Sequence, residues 1–315
     1  MARFPEDLLS IDDLDDDQLT DLLNLADQVK AARGTDSPAA YADALAGHTV
    51  ALVFEKPSTR TRVSFQVAVT ELGGDPLPLS SAELQLGRGE TIADTGAVLS
   101  RYVHAVVVRT FGQDRLDELA AAADVPVVNA LTDLEHPCQA LADLQVLREA
   151  RGGALTGSVL TYVGDGNNVA HSLLLAGALA GVEIRVAHPE GYAPDAAVVD
   201  RARELAEASG TEVVVTTDAV AAVAGAHAVY TDVWASMGQE DEADARLEVF
   251  QPYQVTAELF AHAADDAIFL HCLPAHRGEE VTAEVIDGPA SRVWDQAENR
   301  LHAQKAVLLR LLAAH

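Results

Sequence analysis

Hydrophobic residues along the chain follow two alternating patterns. Short valine-rich runs predict buried strands, and longer segments with apolar residues three and four positions apart predict helices. The first series comprises strands at residues 50–54, 105–109 and 125–130, and helices at 15–31, 58–73, 115–123 and 137–150. Strands that alternate with helices in this way predict a parallel sheet with helices on both faces.

A second series of the same kind follows a break at Arg151-Gly152-Gly153. It comprises strands at residues 159–163, 183–187, 212–216, 228–232 and 267–271, and helices at 168–180, 195–209 and 298–313. We therefore expect an α/β fold with two doubly wound parallel-sheet domains, residues 1–150 and 151–297, and a cleft between them. The C-terminal helix, within residues 298–315, is expected to pack back on the first domain. In such folds ligands bind beyond the carboxyl ends of the strands.

The chain is strongly acidic, because 49 Asp and Glu residues against 21 Lys and Arg residues give a net charge of -28. Such a charge repels nucleic acid and anionic membrane surfaces, so we expect neither as a partner. The plain interpretation is a solvated acidic surface. Its expected cause is a halophilic adaptation, since high salt screens the self-repulsion of the chain.

The start of the chain lacks the pattern of a signal peptide, and the longest apolar stretch, residues 173–182, is too short to span a bilayer. The two cysteines, Cys138 and Cys272, lie far apart and form no metal-ligand pattern. We therefore expect a cytoplasmic protein with reduced thiols and no bound metal.

The segment Ser58-Thr59-Arg60-Thr61-Arg62 directly follows a predicted strand and opens a predicted helix. Unpaired N–H groups at the helix N-terminus, the hydroxyls and the guanidinium groups together predict an anion site suited to phosphate. In the simpler alternative, Ser58 only caps the helix and the arginines are solvated. Basic residues are scarce in this chain, which favours the anion site.

Two further segments carry candidate ligands for such an anion. Arg109 ends a predicted strand, where it could also pair with a surface carboxylate. His136-Pro137-Cys138-Gln139 opens a predicted helix with the proline at its first position, so His136 falls near the N-cap. A lone histidine there is often incidental, but with Gln139 one turn along it can donate to a ligand carbonyl.

The loop Gly164-Asp165-Gly166-Asn167-Asn168 follows a predicted strand and is similar to a dinucleotide loop. The third small residue of that motif is replaced by Val169, and no acidic residue ends the next strand. Asn167 and Asn168 suit a carboxylate or an amide better than a pyrophosphate. A nicotinamide-dependent oxidoreductase is therefore the weaker alternative.

Two segments follow later strands. Asp232 could receive an ammonium group while the backbone of Ser236-Met237-Gly238 receives a carboxylate, although an ordinary turn would give the same pattern. His271 and Cys272 are adjacent in a strand and point to opposite faces, which argues against a direct Cys–His pair. The Leu273-Pro274 bond could be cis.

Together the segments at residues 58–62, 136–139, 232–238 and 271–274 resemble the aspartate/ornithine carbamoyltransferase family, in the family's order and over nearly the whole chain. Cys272 and the Ser-Met-Gly loop are similar to the ornithine-type members. The resemblance implies transfer of a carbamoyl group from carbamoyl phosphate to the δ-amine of ornithine, giving citrulline and phosphate, with no metal or organic cofactor. It also implies a homo-oligomer built on trimers, in which a loop near residues 85–90 completes the active site of a neighbouring subunit. In that loop this chain has Arg88-Gly89, where some relatives have His-Lys.

The same resemblance implies the roles of individual residues. Carbamoyl phosphate would bind to the first domain through Ser58, Thr59, Arg60, Thr61, Gln85, Arg109, His136, Gln139 and Arg300, and to Cys272 and Leu273. Ornithine would bind to the second domain through Asn168, Asp232, Ser236 and Met237. From the chemistry of the reaction we expect Thr61, Arg109 and His136 to stabilise the oxyanion of a tetrahedral intermediate, and Cys272 to orient the amine and accept its proton. The open alternatives are another acceptor, such as putrescine or an acylated ornithine, and a non-catalytic binding protein.

Overall fold

The structure is a computed structural model that describes residues 4–33, 41–80, 89–235 and 243–312, with residues 243–245 described by their backbone alone. The chain divides into two compact units. The first comprises Met1–Ala142 and Asn299–His315, and the second comprises Asp143–Glu298. Two α/β units with parallel sheets confirm the predicted fold class.

The first unit is built on a four-stranded parallel sheet in the order β2-β1-β3-β4. Its strands are β1 (Thr49–Phe54), β2 (Asp75–Ser80), β3 (Ala105–Arg109) and β4 (Val127–Leu131). Its helices are α1 (Asp16–Ala32), α2 (Thr59–Glu71), α3 (Ile92–Leu99), α4 (Gln113–Ala122) and the start of α5 (Pro137–Ala150). Strands β1, β3 and β4 are buried almost throughout, as their runs of valine predict.

Strand β2 is absent from the sequence-based expectation, and its composition explains why. Its sequence, DPLPLS, contains Pro76 and Pro78, which ordinarily argue against a strand. The strand lies at the edge of the sheet, next to β1 only. At an edge, alternate N–H groups point away from the neighbouring strand, so a proline at those positions costs no hydrogen bond.

The second unit is built on a five-stranded parallel sheet in the order β7-β6-β5-β8-β9. Its strands are β5 (Val159–Val163), β6 (Glu183–Ala187), β7 (Val213–Thr216), β8 (Ala228–Thr231) and β9 (Ile268–His271). Its helices are α6 (Asn168–Leu179), α7 (Ala196–Ser209), α8 (Ala219–Val223), α9 (Ala243–Phe250), α10 (Ala257–Phe260), α11 (Ala283–Ile286) and the start of α12 (Val293–Leu312). Helices α8, α10 and α11 are too short to show a helical period in the sequence, and they were not predicted.

Each sheet has one point at which the strand order reverses. In the first unit β1 lies between β2 and β3, and in the second unit β5 lies between β6 and β8. Ligands of open α/β sheets bind at such points, beyond the carboxyl ends of the strands. The polar segments after β1 and β3, and those after β5 and β8, therefore lie where a binding site is expected. No helix in the described part of the chain is both long and apolar enough to cross a membrane.

Candidate active site

The segment predicted to bind an anion, residues 58–62, directly follows β1. Ser58 is the N-cap residue of α2, but its hydroxyl makes no capping hydrogen bond. Thr59 and Arg60, in the first turn of the helix, are exposed, whereas Thr61 is only 1% exposed. The first turn of α2 thus presents N–H groups, a hydroxyl and a guanidinium group at the carboxyl edge of the sheet, which is the geometry of an anion site.

Thr61 is bound by a residue from the far end of the chain. Nη2 of Arg300, in α12, donates to Oγ1 of Thr61 at 2.7 Å. Arg300 is 4% exposed, so both partners are buried within the first unit. This contact brings Arg300 to the start of α2.

Arg109 ends β3 directly beside Phe54, the last residue of β1. It is 9% exposed. The carboxylate that follows β1, Glu55, is bound by Arg115 at 2.8 Å and by the hydroxyl of Thr110 at 2.6 Å. Glu55 is therefore engaged by side chains other than Arg109.

His136 precedes α5 and is 5% exposed. Burial lowers the pKa of His136 well below its usual value, and the positive charges of Arg300 and Arg109 lower that pKa further. The imidazole is therefore neutral near pH 7 and carries one N–H donor. Gln139, one turn along, is 1% exposed. Thr61, Arg109, His136 and Arg300 consequently form one neutral-to-positive neighbourhood in the first unit.

Cys138 lies in the same helix but has a different environment. It is fully buried, and its thiol donates to the backbone carbonyl of Asn129 at 3.6 Å. Burial raises the pKa of this thiol to about 12. Such a thiol has almost no thiolate character, so Cys138 packs and does not react.

The second cluster lies beyond β5, β8 and β9 in the second unit, and Asp232 is at its centre. The Asp232 carboxylate is 6% exposed. Its Oδ2 accepts from Nδ2 of Asn167 at 3.1 Å, and its Oδ1 accepts from the thiol of Cys272 at 2.9 Å. Asn168, the predicted ligand, begins α6 next to Asn167. The structure therefore brings Asn167, Asp232 and Cys272 to one place, and Asn168 follows Asn167 at the start of α6.

The protonation state of Cys272 follows from this contact. Burial raises the pKa of Cys272 well above its usual value, and the negative charge of Asp232 together with the hydrogen bond raises that pKa further. At neutral pH Cys272 is a thiol that donates to Asp232. A thiolate ready to accept a proton is therefore disfavoured in this arrangement.

His271 fixes the backbone next to Cys272 rather than contacting a substrate-type group. Its Nε2 lies 3.0 Å from Oε1 of Glu280, and its Nδ1 accepts from the N–H of Leu273 at 2.8 Å. The peptide bond Leu273-Pro274 is cis, as the sequence suggested, and Leu273 has a φ of 61°. A leucine in the left-handed region is unusual and is held there by its surroundings.

Arg246 contacts two loops near the second cluster, and no sequence pattern indicated this residue. Its Nη1 donates to Oδ2 of Asp165 at 2.7 Å and to the carbonyl of Trp234 at 2.9 Å. Arg246 thus joins the loop after β5 to the loop after β8. Its partners lie 81 and 12 positions away in sequence, so no local motif could reveal the contacts.

The loop Gly164-Asp165-Gly166 lacks the open space beside its second glycine that a dinucleotide-binding motif requires. In that motif the second glycine lets a pyrophosphate approach the backbone. Here a Cβ on Gly166 would lie 2.2 Å from the backbone nitrogen of Pro194 and 2.4 Å from the carbonyl carbon of Ala193. The chain itself occupies that space, which argues against the oxidoreductase alternative.

Two groups of potential metal ligands occur among the described residues. In each group the donor atoms all lie within 4.8 Å of one another. Asp232, His271 and Cys272 form the first, but their donor atoms already take part in the hydrogen bonds above. His276, Glu279 and Glu280 form the second.

Gln85, Ser236 and Met237 lie outside the described residues, as does Arg88. Leu273 is partly buried beside Cys272.

The fold and its two polar clusters define a two-domain α/β protein with an arginine- and hydroxyl-lined cluster on one sheet and an acid–thiol cluster on the other. Comparison with known proteins gives the family. Residues 6–149 match the carbamoyl-P binding domain of aspartate/ornithine carbamoyltransferase, and residues 156–311 match the Asp/Orn binding domain. The chain belongs to the aspartate/ornithine carbamoyltransferase family.

Individual relatives are similar over nearly their whole length. Ornithine carbamoyltransferase of Parafrankia sp. is 61% identical over 300 residues, which cover 95% of this chain and 94% of the relative. The crystal structure of ornithine carbamoyltransferase from Gloeobacter violaceus has a TM-score of 0.88 at 52% identity, covering 99% of this chain and 100% of that one. Ornithine carbamoyltransferase from Pyrococcus furiosus has a TM-score of 0.94 at 51% identity, with 98% and 97% coverage.

Proposed function

We propose that this chain transfers the carbamoyl group of carbamoyl phosphate to the δ-amine of L-ornithine, giving L-citrulline and phosphate. The observation that carries this proposal is that the chain is 61% identical, over nearly its full length, to a protein called ornithine carbamoyltransferase. The reaction is reversible, and the amine attacks directly, through a tetrahedral intermediate. The two polar clusters supply groups suited to the two substrates.

Carbamoyl phosphate binds to the first unit in this proposal. The N-terminus of α2, with Ser58, Thr59 and Arg60, holds the phosphate, since a helix N-terminus and a guanidinium group both favour a dianion. Arg109 and Arg300 add positive charge. The further ligands proposed are Gln85, Gln139, Cys272 and Leu273.

The oxyanion that forms on attack needs donors that are already in position. Thr61, Arg109 and His136 serve this role. A neutral His136 can donate one N–H to the carbamoyl oxygen without placing a further full charge beside Arg109 and Arg300. The low pKa of His136 supports this assignment, because it keeps the donor in one protonation state across the neutral range.

Ornithine binds to the second unit in this proposal. The Asp232 carboxylate takes the α-ammonium group, and Asn168, Ser236 and Met237 bind the rest of the amino-acid end. Asn167 and Cys272 hold the two carboxylate oxygens of Asp232 at 3.1 and 2.9 Å, so they orient it. The δ-amine then lies beside Cys272.

The amine must lose a proton before it attacks, because free amines of this kind are protonated at neutral pH. A binding site that excludes water lowers the pKa of an amine. Because Cys272 is a thiol, we assign it the orienting role and not that of the first proton acceptor. After attack, the second proton passes to the departing phosphate, which is itself a base.

Three properties complete the proposal. The assembly is a homotrimer or a multiple of trimers, with a loop near residues 85–90 acting at a neighbouring subunit. The protein works in the cytoplasm. Its acidic composition, with a net charge of -28, is an adaptation to high salt. Sedimentation at three times the chain mass of 33.2 kDa, or at a multiple of that value, is the expected result for the assembly.

Colorimetric detection of citrulline, with the full chain in both dilute and multimolar salt, tests the proposed reaction. Citrulline should form with saturation by both ornithine and carbamoyl phosphate. A higher kcat/KM with putrescine or an acylated ornithine would overturn the choice of acceptor. The variant Asp232→Asn should lose activity with ornithine but still bind carbamoyl phosphate in calorimetry, whereas Asp200→Asn, an exposed change in α7, should behave as the parent.

A further inference from the structure

A cluster that the transferase reaction does not use lies in the turn between β9 and α11. It consists of His276, Glu279 and Glu280. Nδ1 of His276 lies 3.7 Å from Oε2 of Glu279 and 3.9 Å from Oε2 of Glu280. One imidazole nitrogen and two carboxylate oxygens therefore converge, with all three donor atoms within 4.8 Å of one another.

The two carboxylate oxygens of Glu280 differ in their hydrogen bonding. Its side chain is 0% exposed. Oε1 accepts from the backbone N–H of His276 at 2.6 Å and lies 3.0 Å from Nε2 of His271. Oε2 is also buried, and among the residues that the structure describes it has no hydrogen-bond partner. A buried carboxylate oxygen without a partner is unfavourable, and here it points towards His276 and Glu279.

Outside the cluster, the basic side chains nearby contact atoms other than Oε2 of Glu280. Nδ1 of His271 accepts a hydrogen bond from the N–H of Leu273, and its Nε2 faces Oε1 of Glu280. Arg277 donates to both oxygens of Asp287, at 2.6 and 2.8 Å. A cation ligated by Oε2 of Glu280 would give this buried oxygen the partner that it lacks among the described residues.

We propose that His276, Glu279 and Glu280 bind a divalent transition-metal ion of the Zn²⁺ type. Ligand atoms about 2.1 Å from zinc are about 3.4 Å apart in a tetrahedral site, so gaps of 3.7 and 3.9 Å close with a small side-chain adjustment. Imidazole favours zinc and its neighbours over Mg²⁺ and Ca²⁺. The side chains of His276 and Glu279 are 52% and 47% exposed, which gives the ion a path from solvent and leaves room for a water as fourth ligand.

The ion has a structural effect at a distance. It holds Glu280, which binds His271, and His271 in turn binds the backbone of Leu273 next to Cys272. Binding therefore stabilises the turn that follows β9. It raises the unfolding temperature of the protein and supplies no group to the carbamoyl transfer.

Titration of metal-free full-length protein tests this site. Calorimetry with Zn²⁺ should show saturable binding, and a 100-fold excess of Ca²⁺ or Mg²⁺ should not displace the ion. His276→Ala and Glu279→Gln should each weaken binding at least about tenfold and remove the Zn²⁺-dependent rise in unfolding temperature. Both side chains are half exposed, so these variants should fold. His262→Ala and Glu258→Gln, exposed changes in the same unit, should bind as the parent does.

Absorption spectra with Co²⁺ in place of Zn²⁺ identify the ligands. The proposed site contains no sulfur, so its cobalt complex should lack the near-ultraviolet band that thiolate ligands produce. A thiolate band that disappears in Cys272→Ala would assign the ion to Asp232, His271 and Cys272 and overturn the proposal. Unchanged affinity in both His276→Ala and Glu279→Gln, or no saturable binding at all, would also overturn it.

Discussion

Nη2 of Arg300 donates a hydrogen bond of 2.7 Å to Oγ1 of Thr61, which lies 239 positions earlier in the sequence. Both residues are buried, and the same arginine lies close enough to His136 to lower the pKa of that imidazole. One contact thus joins the last helix to the first turn of α2 and brings positive charge to the proposed oxyanion site.

Replacing Thr61 with valine removes one hydrogen-bond acceptor of Arg300 and one proposed oxyanion donor. We expect kcat to fall about 100-fold. The unfolding free energy should fall by about 1–3 kcal/mol, because Arg300 stays buried without this partner. Steady-state kinetics and urea denaturation measure the two effects. Thr70→Val, an exposed change in the same helix, is the control; equal losses in both variants would contradict the special role of Thr61.

The low pKa of His136 makes stability depend on pH. In the folded state His136 stays neutral, whereas in the unfolded state it takes up a proton below its usual value of 6.5. The contribution of His136 to the free energy of unfolding is therefore complete above that pH. It is lost as the pH falls towards the folded-state pKa, at up to about 1.4 kcal/mol per pH unit. Denaturation of the parent and of His136→Gln, at fixed salt between pH 7.5 and 5.5, measures the difference. If the free energy of unfolding depends on pH in the same way in both proteins, the His136 imidazole takes up a proton as readily in the folded state as in the unfolded state, which would contradict this prediction.

Cys272→Ala tests whether the thiol orients the amine or takes up its proton. A group that orients should affect the size of kcat/KM for ornithine, and we expect a loss of about 10- to 100-fold. Because the pKa of Cys272 is raised well above its usual range, the thiol stays protonated throughout the working pH range. The pH at which the rate rises should therefore be the same in parent and variant. A displaced rise in the variant would identify Cys272 as the base.

Arg246→Gln removes the group that joins the loops after β5 and β8. The side chains of Arg246 and Asp165 are 8% and 14% exposed, so their loss of contact should lower the unfolding free energy by about 3 kcal/mol. The KM for ornithine should rise about tenfold or more, while the Kd for carbamoyl phosphate should not change. Arg203→Gln, an exposed ion-pair residue in α7, serves for comparison. A larger effect on carbamoyl phosphate than on ornithine would contradict this assignment.

The net charge of -28 predicts that stability rises with salt. Screening of self-repulsion acts at ionic strengths up to about 0.5 M, since the Debye length is then only a few ångströms. Thermal unfolding in a series of NaCl concentrations should show a steep rise in Tm over this range. Sucrose of matched osmolality is the control, because it stabilises proteins without screening charge. Full stability at very low ionic strength would remove the argument for a halophilic adaptation.

Local patterns predicted much of the fold. Helix α5 and strands β5 and β6 have the predicted bounds, and β3 does as well. Buried strands are short apolar runs, and this property is written in consecutive residues. The edge strand β2 escaped prediction because its prolines are tolerated only where the neighbouring strand lies on one side. Helix α12 begins five positions earlier than predicted, at Val293, which is fully buried.

The sequence by itself determined the class of fold, the presence of two α/β units and the placement of polar segments after particular strands. These features depend on the hydrophobic period and on residues close together in the chain. The tertiary structure alone decided the strand orders, the hydrogen bonds of Asp232 with Asn167 and Cys272, and the contact of Arg246 with Asp165. It also decided that Cys272 is a protonated thiol, because its pKa depends on burial and on a carboxylate 40 positions away. Such contacts arise only when distant segments pack together, and no local pattern encodes their geometry.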